Sequence, residues 1–254
     1  MLKKRIIPVQ LLVNGRLVKT RQFGAWRDVG DPVASSRVYN AQNADELIFL
    51  SIERTDRTIQ PLFRLLDRVS EVSFMPLSVG GGIHTFEDAA SLIRHGADKV
   101  VINSALHRDP SLVTRIADAF GSQAVIAAFD ARWDEETERH VLYADCGRAR
   151  IPGELETHIA QAIERGAGEV FIQSIDRDGM MTGYDIPLIQ RVRRCCSRPI
   201  IACGGAGNFS HMQEAFLATD VSALACGSLF NFGDNNPIRA MAFLSNYGIP
   251  FKVV

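Results

Sequence analysis

Two glycine-rich stretches, Val79-Gly-Gly-Gly-Ile-His84 and Cys203-Gly-Gly-Ala-Gly207, lie half a chain apart and decide the fold. Each stretch follows an apolar run that is typical of a buried strand. A serine follows the second glycine of each stretch by 23 residues, after a further apolar run: Ser104 in the first copy and Ser228 in the second. The copies are 124 residues apart in a chain of 254, so the sequence indicates that one half of the fold repeats the other.

Each copy joins a glycine loop to a small hydroxyl residue at the end of a strand. Backbone N–H groups in such a loop, together with a helix N-terminus, hold phosphate groups. We call each such phosphate-binding combination of a glycine loop and a hydroxyl residue a phosphate grip. Two phosphate grips on opposite sides of a symmetric fold predict a ligand with a phosphate at each end. The alternative is that the glycines serve only the strand-to-helix turns that recur in any barrel.

Strand and helix signals alternate eight times along the chain. Short β-branched runs predict strands at 5–11, 46–51, 76–79, 98–102, 124–130, 168–174, 199–203 and 222–226. Amphipathic segments predict helices at 34–43, 59–71, 86–95, 110–120, 155–165, 186–194, 209–217 and 236–247. Eight such units predict an α/β fold, a single (β/α)₈ TIM barrel over residues 1–254, with half-barrels at about 1–122 and 123–254. A doubly wound open sheet is the competing architecture, and the repeat favours the barrel.

Composition narrows the functional class. The formal net charge of −1 gives no electrostatic reason to expect a nucleic-acid partner. No stretch reaches the roughly 18 apolar residues of a membrane span. The five cysteines are odd in number and form no C-x-x-C pair, which favours reduced thiols and a cytoplasmic protein. The histidines show no metal-site spacing, so we expect neither a metal nor another cofactor.

One carboxylate stands out as a candidate catalytic group. In a barrel, chemistry takes place at the carboxyl ends of the strands. Asp130 ends the apolar run 124–129, and partial burial there raises a carboxyl pKa, as a general acid or base requires. An ion pair of Asp130 with Arg132 or Arg177 is the other interpretation.

Two further segments predict contacts at the barrel mouth. Lys19 lies with three arginines in a long first loop, and a mobile basic loop there would close over an anionic ligand. A solvated loop is the alternative. Asp178 lies in a turn-like loop, where it would bind substrate hydroxyls or only cap the turn. The polar stretch 133–150 predicts a small hairpin over the mouth.

Eight short motifs occur together over nearly the whole chain: Lys4-Arg-Ile-Ile-Pro8, Gly30-Asp-Pro32, Asp45-Glu46-Leu47, Val79-Gly-Gly-Gly-Ile-His84, Gly96-Ala-Asp-Lys99, Gly121-Ser-Gln-Ala124, Ser174-Ile-Asp-Arg-Asp-Gly179 and Gly204-Gly-Ala-Gly207. With them the chain resembles the cyclase (synthase) subunit of imidazole-glycerol-phosphate synthase, an enzyme of histidine biosynthesis. The set is highly specific, whereas a lone glycine pair would not be.

The resemblance implies a barrel that binds a phosphate at each of two sites. One phosphate would be held by Gly82, Asn103 and Ser104. The other would lie among Asp178, Gly179, Gly205 and Ser228, with Lys19 as a further ligand-binding group.

The resemblance also implies a partner. A glutaminase subunit would dock at the N-terminal face as a heterodimer and send ammonia through the barrel. The gate at that face would be the charged residues Arg5, Glu46, Lys99 and Glu169; an ordinary salt-bridge network is the alternative. Asp98 and Gln123 match the docking surface.

The chain departs from the family at the catalytic end. The family pairs two aspartates across the barrel; Asp130 matches one, and Leu11 replaces the other. Ser51 replaces a further aspartate, and Gln173 replaces a threonine. These departures favour a barrel that resembles those of surface-polysaccharide sugar amidation, which pass ammonia to a third, amidotransferase-type protein that makes an acetamidino sugar from an acetamido sugar.

Two alternatives stay open. One is a true imidazole-glycerol-phosphate synthase subunit, in which Asp130 is the remaining acid/base group. The other is a non-enzymatic scaffold that activates a glutaminase.

Overall fold

The computed structural model describes residues 3–55 and 57–252 and shows a closed barrel of eight parallel strands. In chain order the strands are β1 (Arg5–Val13), β2 (Arg16–Thr20), β3 (Trp26–Gly30), β4 (Leu47–Ser51), β5 (Leu77–Gly80), β6 (Lys99–Ile102), β7 (Val125–Asp134), β8 (Arg139–Ala144), β9 (Ala149–Ile151), β10 (Glu169–Ser174), β11 (Ile200–Cys203) and β12 (Ala223–Cys226). Around the barrel the order is β1-β4-β5-β6-β7-β10-β11-β12. The pairing of β12 with β1 completes the ring and excludes the open doubly wound sheet.

Helices connect the barrel strands and cover the outside of the sheet. They are α1 (Pro32–Ala41), α2 (Gln60–Val69), α3 (Phe86–Arg94), α4 (Ser104–Arg108), α5 (Ser111–Phe120), α6 (Leu155–Glu164), α7 (Ile186–Cys195), α8 (Phe209–Thr219), α9 (Ser228–Asn231) and α10 (Pro237–Ser245). Local sequence sets several of their starts. Thr85 and Asp88 form a capping box at α3, and the Asp185 side chain accepts a hydrogen bond from the Leu188 backbone N–H at the start of α7.

Two departures from the sequence-based assignment lie at the barrel mouth. The first loop is a hairpin, in which β2 pairs antiparallel with β1 and with β3. The short helices α4 and α9 follow β6 and β12 directly. Helices of four or five residues show too little periodicity to be found by pattern.

The predicted hairpin over the mouth is confirmed. Strand β7 leaves the barrel and pairs antiparallel with β8, which pairs with β9. Strand β1 makes the same kind of extension through β2. The first barrel strand of each predicted half therefore carries an antiparallel arm at the same end of the barrel.

Side chains alternate between the barrel interior and the layer under the helices, since successive side chains of a strand point to opposite faces. Along β1, Ile7, Val9 and Leu11 pack inside the barrel, whereas Ile6 and Leu12 pack outward against the helical layer. The interior cluster is completed by side chains from the other barrel strands: Ile48, Leu50, Val101, Ile126, Ala128, Phe171, Ile201, Cys203, Ala223 and Ala225. This apolar column separates the two polar ends of the barrel.

Candidate active site at the carboxyl ends of the strands

A deep cavity opens at the carboxyl ends of the barrel strands. Both glycine stretches line it, together with residues from both hairpins. The empty space, measured out to the open mouth, is about 1490 Å³. The β-strands fix the floor, and the loops that follow them supply the polar groups.

Asp130 lies in the wall of this cavity, and its environment suits acid/base chemistry. One carboxylate oxygen, Oδ2, accepts a hydrogen bond of 3.1 Å from the Asn103 amide. Burial raises the pKa of Asp130 to about 7, although the Asn103 hydrogen bond favours the charged form. The alternative interpretation, an ion pair with Arg132 or Arg177, is wrong: Arg132 lies over the Tyr143 ring, and Arg177 donates to the Thr182 hydroxyl. At neutral pH this carboxyl group can both give and take a proton.

Leu11 lines the same cavity, on the wall opposite Asp130. Strands β1 and β7 are four places apart in a ring of eight, so their side chains meet across the barrel. Leu11 packs against the interior cluster and lines the cavity. Ser51 and Gln173 line it as well. The structure therefore sets Asp130 opposite an apolar side chain that cannot carry a proton.

The residues predicted to hold the first phosphate come from the ends of two strands. Gly82 has φ +74°, and a Cβ there would lie 2.4 Å from the Thr58 backbone oxygen, so only glycine fits. Asn103 and Ser104 stand at the start of α4, and the Ser104 hydroxyl lies 3.4 Å from the Asn103 amide oxygen. All three residues predicted for this grip line the one cavity.

The second grip lies across the cavity from the first. Gly205 has φ +105° and approaches the Gly183 backbone so closely that a Cβ would lie 2.0 Å from its oxygen. Ser228 begins α9, and Gly227 precedes it. Lys19 lies on the same side of the cavity as Ser228, because its Nζ would be only 2.4 Å from a Cβ on Gly227. Gly205, Ser228 and Lys19 therefore face the cavity together.

Lys19 is held in place rather than carried on a mobile loop. It is 6% exposed, and its ammonium group donates a hydrogen bond of 2.6 Å to the Val9 backbone oxygen. Burial lowers the pKa of Lys19 to about 8. The sequence predicts a mobile loop here, whereas β2 pairs with β1 and the resulting hairpin buries Lys19.

Asp178 and Gly179 contact the β2–β3 hairpin and also line the cavity. The Asp178 carboxylate accepts hydrogen bonds from the Thr20 hydroxyl at 2.6 Å and from the Phe23 backbone N–H at 3.2 Å. Burial raises the pKa of Asp178, against the effect of the Thr20 hydrogen bond. A Cβ on Gly179 would lie 2.1 Å from the Thr20 oxygen. The loop after β10 therefore fixes the β2–β3 hairpin over the second grip.

The opposite end of the barrel carries a closed ring of four charges. Lys99 donates to Glu46 at 2.9 Å and to Glu169 at 2.6 Å, and Arg5 donates to Glu46 at 2.9 Å and also pairs with Glu169. Burial opposes the charge on Glu169, but the hydrogen bond and the charge of Arg5, with the charge of Lys99, hold its pKa below the ordinary value. The signs alternate around the ring, so each buried charge is paired on both sides.

The predicted docking residues lie at this same end. Asp98 precedes β6 and accepts a hydrogen bond of 2.8 Å from the Leu77 backbone N–H at the start of β5. Gln123 lies just before β7. Both are exposed, and so is Phe74 in the loop before β5, at 87%. Phe74 is not among the residues that the sequence predicts for this face.

Sequence reasoning also missed Arg57 and His84, which line the cavity beside the first grip. The His84 ring lies 3.1 Å from the Arg57 backbone oxygen. Neither residue stands at a strand end, so the strand-end rule predicts neither of them.

Within the described residues, no group of three or more His, Cys, Asp and Glu side chains is arranged to hold a metal ion. Over the same ranges no helix is both long and apolar enough to cross a membrane.

Comparison with known proteins identifies the family of this chain. A family model described as histidine biosynthesis protein matches residues 5–236. The chain is 41% identical over 253 residues to the imidazole glycerol phosphate synthase subunit HisF of Caulobacter vibrioides (strain NA1000 / CB15N), with 100% of this chain and 97% of the relative covered. It is 39% identical over 252 residues to the subunit of the same name from Staphylococcus carnosus (strain TM300), with 99% of each chain covered. By the match and by full-length identity, the chain belongs to the histidine biosynthesis protein family and is a HisF-like barrel.

Proposed function

We propose that this barrel is an ammonia-using synthase subunit of the imidazole-glycerol-phosphate type. It receives ammonia from a glutaminase subunit at the ring of charges and uses it on a ligand held by the two phosphate grips. The observation that carries the proposal is the position of Asp130 in a cavity flanked by both grips. Burial at that position raises the pKa of its carboxyl group. The full-length similarity to HisF subunits supports the same reaction.

In this function the ligand is the phosphoribulosyl-formimino-aminoimidazole-carboxamide ribotide. With ammonia it gives imidazole glycerol phosphate and aminoimidazole-carboxamide ribotide. Ring closure moves protons on and off nitrogen and oxygen, and Asp130 is the group placed to carry them. The grips and Lys19 neutralise the phosphate ends and fix the ligand between Asp130 and Leu11.

The route for ammonia supports the same assignment. The charge ring stands at one end of the barrel and the cavity at the other, with the interior apolar column between them. A neutral small molecule such as ammonia crosses an apolar column at much lower cost than ammonium, which is charged. The half-barrels at about 1–122 and 123–254 would each supply one phosphate grip to this arrangement.

Leu11 favours a second candidate function. A barrel with one acid/base group has lost half of a proton-transferring pair, which typically costs about 10²–10⁴-fold in rate. In the second function the barrel passes ammonia to a third, amidotransferase-type protein, which amidates a surface-polysaccharide sugar from the acetamido to the acetamidino form. The charge ring and the docking face serve that function equally well.

The test is a cyclase assay of the purified chain with the phosphoribulosyl substrate and a saturating ammonium salt, which bypasses any glutaminase. The first function predicts turnover that Asp130→Asn lowers by about 10²-fold or more. Leu11→Asp is expected to raise the rate, with Leu11→Asn as the matched variant of the same shape that adds no acid. No turnover by the chain or by Leu11→Asp, with glutaminase binding retained, would refute the first function and support the second.

A further inference from the structure

A charged cluster beside the first phosphate grip has no role in the function proposed above. The Asp145 carboxylate oxygen Oδ1 accepts hydrogen bonds from Arg57 Nη1 at 2.6 Å and from Arg108 Nη2 at 2.8 Å. The Asp145 backbone N–H donates to the Ser104 hydroxyl at 3.0 Å. One residue of the hairpin therefore engages two arginines and the serine predicted to hold phosphate.

Asp145 lies in a turn with an unusual backbone. Asp145 and Cys146 both have positive φ, 54° and 55°, and Gly147 follows with φ 76°. Two successive non-glycine residues in the left-handed region are uncommon and cost conformational energy. Residues outside the hairpin hold the Asp145 side chain and backbone N–H, and within the turn Arg148 donates to the Asp145 and Ala144 oxygens. Loss of those contacts would let the turn at 145–147 relax.

Arg57 faces both the turn and the cavity. It lines the cavity with Gly82 and Ser104, and its side chain is 20% exposed. Its second terminal nitrogen, Nη2, is buried and finds no hydrogen-bond partner within residues 3–55 and 57–252. The guanidinium group therefore has a donor left for an anion beside the first grip.

A phosphate at this grip competes with Asp145 for the same donors. A guanidinium group binds a phosphate through two parallel hydrogen bonds, and a phosphate dianion carries more charge than one carboxylate. Asp145 is ionised at neutral pH: burial opposes its charge, but the Arg57 hydrogen bond and the charges of Arg108 and Arg57 hold its pKa below the ordinary value. A phosphate that binds both terminal nitrogens of Arg57, the free Nη2 and Nη1, takes Nη1 from Asp145.

We infer that Arg57 completes the first phosphate site and that a bound phosphate group takes Arg57 from Asp145 and releases the turn at 145–147. The inference rests on the proposed function only for the existence of the first grip. It assigns to this chain a phosphate-exchange contact, in which Asp145 occupies the arginines until a phosphate-bearing ligand displaces it.

The first measurement is the binding of inorganic phosphate to the full chain by titration calorimetry at constant ionic strength, since salt screens such contacts. Arg57→Gln is expected to weaken binding about tenfold or more, the effect of losing a charge-assisted hydrogen bond. Asp145→Asn is expected to strengthen binding about two- to fivefold, because a partly exposed competing ion pair is gone. Arg139→Gln is the matched control, because Arg139 pairs with Glu154 on the same hairpin away from the cavity, and it should bind as the wild type does.

The second measurement is hydrogen–deuterium exchange of the backbone amides at 145–148. The Asp145 amide is bonded to Ser104, and the Arg148 amide is bonded to the Ala144 oxygen. Release predicts that saturating phosphate speeds exchange in this segment, whereas simple docking of an anion beside an unmoved turn would slow it or leave it unchanged. Asp145→Asn is expected to exchange faster than the wild type before phosphate is added.

Three results would overturn the inference. Phosphate binding by Arg57→Gln at wild-type affinity removes Arg57 from the site, and unchanged binding by Asp145→Asn removes the competition. Exchange that slows or stays unchanged with phosphate refutes the release of the turn. If Arg57→Gln does not fold, Arg57→Lys keeps the charge without the planar fork and should bind phosphate more weakly than the wild type; equal affinity would refute the assignment. If the wild type binds no phosphate, the grip and the proposed function fail together.

Discussion

Replacing Asp130 by asparagine is expected to stabilise the folded protein at alkaline pH although it removes the acid/base group. Burial raises the pKa of Asp130 from its ordinary value of 3.8 to about 7. The folded protein therefore holds this proton more tightly than the unfolded chain does. The stability that the proton provides is complete below about pH 4 and is lost as the pH rises through 7.

The size of the effect follows from the same values. A difference of about three pH units at 1.36 kcal/mol each gives a cost of about 4 kcal/mol for the ionised carboxylate at pH 8. Asp130 faces an open cavity, where water screens its charge, so we expect a gain of about 2 kcal/mol for Asp130→Asn. Asparagine has the same shape and can still accept the hydrogen bond from Asn103.

The assay is urea unfolding of the wild type and of Asp130→Asn at pH 5 and pH 8. We expect a clear stabilisation at pH 8 and a gain of less than half that size at pH 5. Asp145→Asn is the control of opposite sign, since the pKa of Asp145 lies below its ordinary value, and it should lower stability at both pH values. If Asp130→Asn is less stable than the wild type at pH 8, the carboxylate is well solvated or paired, and the argument for its role as an acid at neutral pH is wrong.

Three further predictions concern the two ends of the barrel. Glu46→Gln leaves an unbalanced positive charge in the ring. Because the Glu46 side chain is 3% exposed, we expect urea unfolding to show a loss of about 3–5 kcal/mol in stability, and glutamine hydrolysis to become uncoupled from product formation. Coupling and stability equal to those of the wild type would contradict a gate. Gly82→Ala should lower both the melting temperature and the phosphate affinity more than Gly96→Ala does. Both glycines have positive φ, but a Cβ at Gly82 would meet a backbone oxygen, whereas a Cβ at Gly96 would have no atom within 4 Å. Equal effects of the two variants would show that backbone strain alone matters. Phe74→Ser should weaken glutaminase binding in calorimetry by about tenfold, as the loss of an exposed aromatic anchor does. Leu217→Ser, on a helix of the outer layer, should leave binding unchanged. Weaker binding by Leu217→Ser than by Phe74→Ser would place the docking face elsewhere.

Pattern alone predicted the barrel well because the signals are local. Each interior strand is a short apolar run, and each turn into a helix carries a glycine or a capping residue. The strand predicted at 168–174 is observed at Glu169–Ser174, and the helix predicted at 86–95 is observed at Phe86–Arg94. The first loop was assigned wrongly because β2 is stabilised by pairing with β1, a contact that periodicity does not report.

The candidate site was predictable where a residue stands at a strand end. Asp130, Asn103 and Gly205 line one cavity, as the strand-end rule implies. Lys19 was identified by charge, but its burial came from the hairpin. Arg57 was not identified, because its position in a loop says nothing about the turn it meets.

By itself the sequence determined the eightfold alternation of strands and helices. It also determined the glycines at positions that require a positive φ, and Leu11 at the position where a second acid would stand. These are properties of single residues and of their nearest neighbours along the chain. Tertiary structure alone decided which charges meet. Arg57 and Asp145 are 88 residues apart, and Arg5 pairs with Glu169 across the barrel floor. Such contacts, and the burial that raises the pKa of Asp130, exist only once the sheet has closed, because closure brings distant strand ends together and excludes water from between them.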